Sequence, residues 1–345
     1  MKRAAILCLW VLLLATGCGG RVAPAPPSAE PPGLYPSYVI TPDGYRLPLH
    51  HWAPEGEPRG VVLALHGFGD HGASFEALSA PLTEAGFKIY APDQRGFGAT
   101  SRPGIWAGQA AMTADVRTLT GWLRERHPGL PVFLVGKSMG GAVVLATLGA
   151  DEPLQVDGAV LIAPAVWARE TMPWYQRLGL WVMLRIAPGM NLSGDTVHDL
   201  GIRPTDDIEV ARALSRDPLV LKKARVDTVH GLTELMGQAL EASAHLPGPA
   251  LILYGGNDQV IPARPVCAML ERLPEQDSVP WRMAFYPEGY HMLTRYTGAA
   301  QTHADLAAWL TDVSGSLPSG REASRSEVFE VLCAGRARSD DEPQG

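Results

Sequence analysis

The sequence predicts an α/β protein with a mostly parallel central sheet flanked by helices and a helical cap inserted between two strands. Three observations predict it. Short apolar runs alternate with helical stretches through most of the chain, and one long stretch breaks that alternation with amphipathic segments and no buried strand. A strand also runs into Gly136-Lys137-Ser138-Met139-Gly140 and out into an apolar helix. Such alternation implies parallel strands joined by right-handed crossovers, and strands covered on both faces read as unbroken apolar runs.

The first element is a targeting segment. Lys2 and Arg3 form a basic start, and residues 4–14 are apolar but too few to span a bilayer. The run Leu14-Ala15-Thr16-Gly17-Cys18 resembles the lipobox of bacterial lipoproteins, in which the cysteine becomes the lipidated first residue. The resemblance implies a signal peptide over 1–17, lipidation at Cys18 and anchorage to a membrane of the bacterial cell envelope. The alternative is ordinary cleavage and a secreted protein. Residues 18–33 contain five prolines and read as an extended tether.

The core is expected over 34–166 and 247–313. Residues 38–41 and 46–52 flank Pro42-Asp43-Gly44-Tyr45, a hairpin signal. Strand-like runs follow at 61–65, 88–91, 132–135, 159–163, 251–254 and 282–286, with helical stretches at 74–85, 113–126, 139–148, 264–272 and 302–312. Residues 167–246 read as the cap, with amphipathic segments at 174–186 and 218–244. Trp167, Trp174 and Trp181 recur there at seven-residue spacing, either as cap packing or as a lipid-facing wall. From 314 to 345 the chain is rich in Ser, Gly, Arg and acids and reads as mostly disordered, with a short helix near 327–333.

Composition narrows the function. A formal net charge of −7 with no clustered Lys and Arg argues against nucleic-acid binding. Of the four cysteines, Cys8 leaves with the signal and Cys18 carries lipid, so Cys267 and Cys333 remain in an oxidising compartment. Cys333 sits in a polar tail, which weighs against a bridge. No metal site is expected: His50 and His51 are adjacent on a strand and point to opposite faces. No cofactor is expected either.

The chemistry rests on Gly136-Lys137-Ser138-Met139-Gly140. In a strand–turn–helix setting this is a nucleophile elbow, whose glycines let the strained turn lift the Ser138 hydroxyl above the sheet edge. Gly-Lys-Ser also ends a phosphate-binding loop, but that motif needs a glycine at position 131, which is Pro131. A serine hydroxyl needs a base to take its proton and an acid to orient the base. Asp258, in the glycine turn after 251–254, and His291, in the loop after 282–286, follow Ser138 in the required order at strand ends. Asp157 precedes its strand, and Asp93 precedes Ser138 and is better suited to bracing the 93–96 turn. The glycines after 61–65 let a backbone N–H face the developing oxyanion, so the amides of Phe68 and Met139 are the expected donors. His66 is expected to support that loop, and His303 to lie at the surface of the last helix.

Taken together, His66-Gly67-Phe68-Gly69-Asp70-His71, the run from Ala91 to Gly98, Gly136 to Gly141, Gly255 to Asp258 and Gly289 to His291 resemble the α/β-hydrolase superfamily, in its monoacylglycerol lipase and lysophospholipase branch with a serine aminopeptidase S33-type domain. The similarity covers roughly residues 36–312. It implies hydrolysis of a single-chain lipid ester through an acyl-enzyme, with the cap shaping the acyl pocket. Lys137 stands where that branch usually has His, and Met292 where an acid commonly follows the base. A broader carboxylesterase, an acyltransferase, a peptidase with the same triad and a non-catalytic envelope binding lipoprotein are the alternatives.

Overall fold

The structure is a computed structural model that describes residues 27–152, 154–193 and 202–334. The signal segment, Cys18 and the tether up to residue 26 lie outside the described residues. No helix among the described residues is long and apolar enough to cross a membrane.

Eleven strands are described. β1 (Gly33–Leu34), β2 (Tyr38–Ile40) and β3 (Arg46–Trp52) form the antiparallel margin of the main sheet. β4 (Gly60–Leu65), β5 (Phe87–Pro92), β6 (Val132–Lys137), β7 (Gly158–Ile162), β10 (Ala250–Gly255) and β11 (Trp281–Tyr286) are its parallel body. The spatial order is β1-β2-β3-β5-β4-β6-β7-β10-β11. Register brings Leu65 beside Gly136 and Lys137 beside Ile162, so the carboxyl ends of β4, β6 and β7 form one rim.

Strand side chains alternate between two buried layers, as a two-residue period requires. Val61, Leu63 and Leu65 face one layer, which includes Val116 of α2 (Gln109–Arg126), Val143 of α3 (Met139–Leu148) and Met269 of α7 (Ala263–Arg272). Val62 and Ala64 face the other, with Leu82 of α1 (Glu76–Glu84) and Trp309 of α8 (Ala299–Thr311).

The expected cap needs redrawing at its end. The helix anticipated from 218 begins later, as α6 (Val226–Ala242), and it packs on the core: Leu235, Ala239 and Leu240 are fully buried with α3. Its apolar stripe packs chiefly on α3 in the helical layer over the sheet, and amphipathicity alone does not say which layer a stripe covers. The inserted part proper holds α4 (Trp174–Ile186), α5 (Ile208–Arg216) and an exposed two-stranded pair, β8 (Asn191–Ser193) with β9 (Lys223–Arg225).

The expected disorder after residue 314 is also corrected, up to residue 334. β11 is an edge strand whose outer N–H and C=O groups need partners. The tail supplies them: Phe285 donates its N–H to Arg321 O at 2.9 Å, and Ala323 donates to Met283 O at 3.0 Å. Ser319 bonds Asp305, and α9 (Arg325–Phe329) begins with a Ser324/Glu327 capping box. Cys267 and Cys333 are bridged, contrary to the expectation from tail composition. Docking brings Cys333 to α7, and this proximity decides the pairing.

Candidate active site

The elbow is built by close backbone approach. A Cβ on Gly136 would lie 2.5 Å from Gly140 O, and one on Gly140 would lie 2.1 Å from Leu65 O, so glycine alone lets β6, α3 and the end of β4 meet. Ser138 sits between them at φ 50°, a conformation strained for a residue with a Cβ. Its N–H donates to Ile162 O at 2.9 Å, and its C=O accepts from Ala142 and Ala165 N–H. The neighbours thus hold a turn that the local sequence would not adopt alone.

All three predicted side chains converge. His291 Nε2 lies 2.9 Å from Ser138 Oγ, and His291 Nδ1 lies 2.7 Å from Asp258 Oδ2. Asp258 Oδ1 is engaged separately, accepting from Val260 and Ile261 N–H at 2.8 and 2.9 Å. One carboxylate oxygen is anchored to backbone, and the other is aimed at the imidazole. The loops bearing acid and base lock together, since Asn257 N–H donates to Gly289 O and a Cβ on Gly255 would meet that same oxygen at 2.4 Å. With its Nδ1 proton donated to Asp258, the imidazole presents the Nε2 lone pair to the hydroxyl, the arrangement for proton removal from a nucleophile.

The loop after β4 completes the rim. A Cβ on Gly67 would lie 3.4 Å from Ser138 Cβ, so this loop runs directly beside the hydroxyl. Phe68 lines the cavity there, and Met139 is fully buried at the start of α3. His66 is fully buried, and burial holds its imidazole below the usual histidine range. It stays neutral, donating from Nδ1 to Gly67 O at 2.8 Å and accepting Gln94 N–H on Nε2 at 2.9 Å. Asp93 braces two segments, accepting from Gly72 and Ala99 N–H.

The cavity above Ser138 has a volume of about 200 Å³. Ile162, Leu214, Val220 and Leu221 give it an apolar wall drawn largely from the inserted segment. The insertion is tied to the loop at its rim: Leu221 N–H donates to Gly69 O at 2.8 Å, and Asp217 accepts from His71 at 2.9 Å.

Three features were not read from the sequence. Asp70 and Arg295 form an ion pair that joins the loop after β4 to the loop of His291, and both line the cavity. Burial would raise the Asp70 carboxyl, but the Arg295 guanidinium and Lys137 outweigh it and hold the group below the usual carboxylate range. Lys137 is buried, its ammonium donating to Ser74 O and Oγ at 3.0 and 2.9 Å and lying 4.1 Å from the Phe75 ring centre. Burial, reinforced by Arg295, pushes it well below the normal lysine range. His303 is half-buried rather than superficial, and it meets Thr294 O at 3.0 Å in the loop of His291. Position within the His66–His71 motif was the only available signal for Asp70; nothing local marks Arg295.

Of the three cap tryptophans, Trp167 packs against the core, whereas Trp174 and Trp181 are 68% and 45% exposed on α4. None lines the cavity.

Comparison with known proteins agrees with this geometry. Residues 56–296 match the family described as serine aminopeptidase, S33. A monoacylglycerol lipase of Mycolicibacterium smegmatis is 30% identical over 275 residues, covering 77% of this chain and 93% of that protein. Human monoglyceride lipase is 27% identical over 260 residues, covering 74% and 83%. Among solved structures, Paleococcus ferrophilus monoacylglycerol lipase superposes with a TM-score of 0.64 at 23% identity, covering 78% of this chain and 99% of that one. A soluble variant of Saccharomyces cerevisiae monoglyceride lipase, in complex with a substrate analogue, gives 0.66 at 21% identity, covering 85% and 100%. The α/β-hydrolase architecture, the Ser138–His291–Asp258 array and the match across most of the chain converge on one assignment: this is a serine ester hydrolase of the S33 serine aminopeptidase family.

Proposed function

We propose that the protein hydrolyses single-chain acylglycerols, with Ser138 as nucleophile, His291 as general base and acid, and Asp258 as its orienting carboxylate. The observation that carries this reading is the continuous Oγ–imidazole–carboxylate array opening into a small apolar cavity. Ser138 Oγ attacks the ester carbonyl carbon as its proton passes to His291 Nε2. The amides of Phe68 and Met139 receive the oxyanion. His291 returns the proton to the departing alcohol, and water then cleaves the acyl-enzyme by the same relay. The relatives named as monoacylglycerol lipases support the substrate class.

Charge in the cavity favours an ester over a peptide amine. Binding the ammonium of a peptide N-terminus calls for free carboxylates, yet among the described residues Asp70 is the one acid that lines this space, and it is paired with Arg295. A panel of monoacylglycerols, triacylglycerols, short nitrophenyl esters and aminoacyl anilides tests this; monoacylglycerols should lead in kcat/KM. Leu214→Ala should lower kcat/KM for a long-chain monoacylglycerol about tenfold, the size expected for lost apolar contact in a pocket. An acetyl ester should be affected less than twofold by the same change. Equal losses on both would reject Leu214 as part of the acyl wall.

The site is further proposed to work at a membrane of the bacterial envelope, held by lipid at Cys18. The lipobox-like residues 14–18 support the anchor, and the exposed Trp174, Tyr175, Leu178 and Trp181 on α4 suit an apolar surface. In a bacterial host, labelled palmitate should enter the wild-type chain and not Cys18→Ala; equal labelling would discard lipidation at that residue.

A further inference from the structure

We propose that His50, His71 and Asp93 form a zinc site that fastens the loop after β4 to β3 and the end of β5, with Asp217 of the inserted segment holding His71 from outside. The three residues are remote in sequence. His50 lies on β3 opposite Ala91, Asp93 directly follows β5, and His71 ends the loop beside Ser138's rim. One ligand-capable atom of each falls within 4.8 Å of the other two.

Two observations separate this cluster from an ordinary hydrogen-bond network. His71 is 7% exposed, and its Nδ1 is buried with no hydrogen-bond partner, a costly state for a ring nitrogen. Its Nε2 lies 2.9 Å from Asp217 Oδ2. With the ring proton donated there, Nδ1 keeps a free lone pair. A histidine whose distal nitrogen is held by a carboxylate is the usual outer-shell arrangement of a metal-binding imidazole. In addition, His50 Nε2 and Asp93 Oδ1 stand 3.5 Å apart, at the limit of a useful hydrogen bond.

Asp93 is held rigidly by the N–H groups of Gly72 and Ala99, and its oxygens keep further lone pairs. Two imidazoles and a carboxylate suit Zn²⁺, which binds N and O at about 2.0–2.2 Å in a tetrahedron, leaving a fourth position for water. Such bonds set ligand separations of about 3.4 Å; the His50–Asp93 edge already measures 3.5 Å, and the edges to His71, no longer than 4.8 Å, close by at most about 1.5 Å. The His50 side chain is 33% exposed and has room to follow that adjustment. The carboxylates of Asp93 and Asp217 balance the dication, so the occupied cluster carries no net charge.

The test is titration of the tag-free full chain with Zn²⁺ alone by calorimetry, with Co²⁺ as a spectroscopic probe. The wild type should bind one equivalent, gain thermal stability and give the intense visible bands of tetrahedral cobalt. His50→Ala should weaken binding more than a hundredfold. Asp217→Asn should weaken it about 10- to 100-fold, the effect of losing an outer-shell carboxylate. His50 lies outside the hydrolytic array, so His50→Ala serves as the decisive variant if His71→Gln fails to fold. Absence of stoichiometric binding in the wild type, or equal affinity in wild type and His50→Ala, would overturn the site.

Discussion

Ser138→Ala is expected to lower kcat by on the order of 10⁵- to 10⁶-fold and to abolish labelling by a fluorophosphonate probe. The magnitude follows from the unit behaviour of such arrays: without the nucleophile, the base and acid have nothing to activate, and only binding and oxyanion contacts remain. Stability should hardly change, because the interactions that fix the turn run through the backbone N–H and C=O of Ser138. Ser138→Gly should be equally inactive but more stable by about 1 kcal/mol, since glycine relieves the strain of a positive φ at residue 138. Hydrolysis rates and urea midpoints of the three chains check both halves. Residual activity above about one per cent in Ser138→Ala, well beyond what an array stripped of its nucleophile retains, would remove Ser138 from the chemistry.

Arg95→Ala is expected to destabilise the fold by about 3–5 kcal/mol, a melting temperature lower by on the order of 10 °C. Arg95 is 7% exposed and grips two carboxylates at once. Its Nε and Nη2 donate to Asp115 at 2.6 and 2.7 Å, and Nη1 and Nη2 donate to Asp43 at 2.6 and 2.7 Å. These contacts tie the hairpin turn of Asp43 and the loop after β5 to α2. Hydrogen bonding from Arg95 holds the Asp43 carboxyl far below the normal range, whereas burial raises that of Asp115 even with the guanidinium beside it. Removing the cation leaves Asp115 buried and uncompensated, which is the expensive outcome. Asp115→Asn should cost less, because Arg95 keeps Asp43, whose side chain is 60% exposed. Thermal and urea denaturation of both variants decide the order; an Arg95→Ala chain within 1 kcal/mol of wild type would show that the network contributes little.

The difference between these two sites reflects what a linear sequence can encode. The elbow is a local device: Gly136, Ser138 and Gly140 lie within five residues, and each has a steric reason that can be stated without the fold. Asp258 and His291 were reachable because both stand at strand ends and follow Ser138 in the order that the α/β-hydrolase resemblance implies. The network around Arg95 was not, because residues 43, 95 and 115 share no periodicity. The same holds for Asp70 with Arg295, and for His50, which the fold alone brings beside His71 and Asp93.

Errors at the boundaries have a related origin. Composition marked the chain after Ser314 as unable to build a core, yet it needs only to cover an edge already built, and β11 offers one. Amphipathicity identifies the stripe of α6 but not the layer on which it packs.

By itself, then, the sequence determined the parallel sheet and the strained nucleophile turn, which follow from short-range sterics and the alternation of strand and helix, and it pointed to the acid and base through strand-end position together with the residue order that the α/β-hydrolase resemblance implies. Only the tertiary structure decided where the insertion ends, that Cys267 meets Cys333, and which charges share a cavity rim. Those outcomes depend on separations of dozens to hundreds of residues closing to a few ångströms, and packing of whole layers, not any local preference, sets such distances.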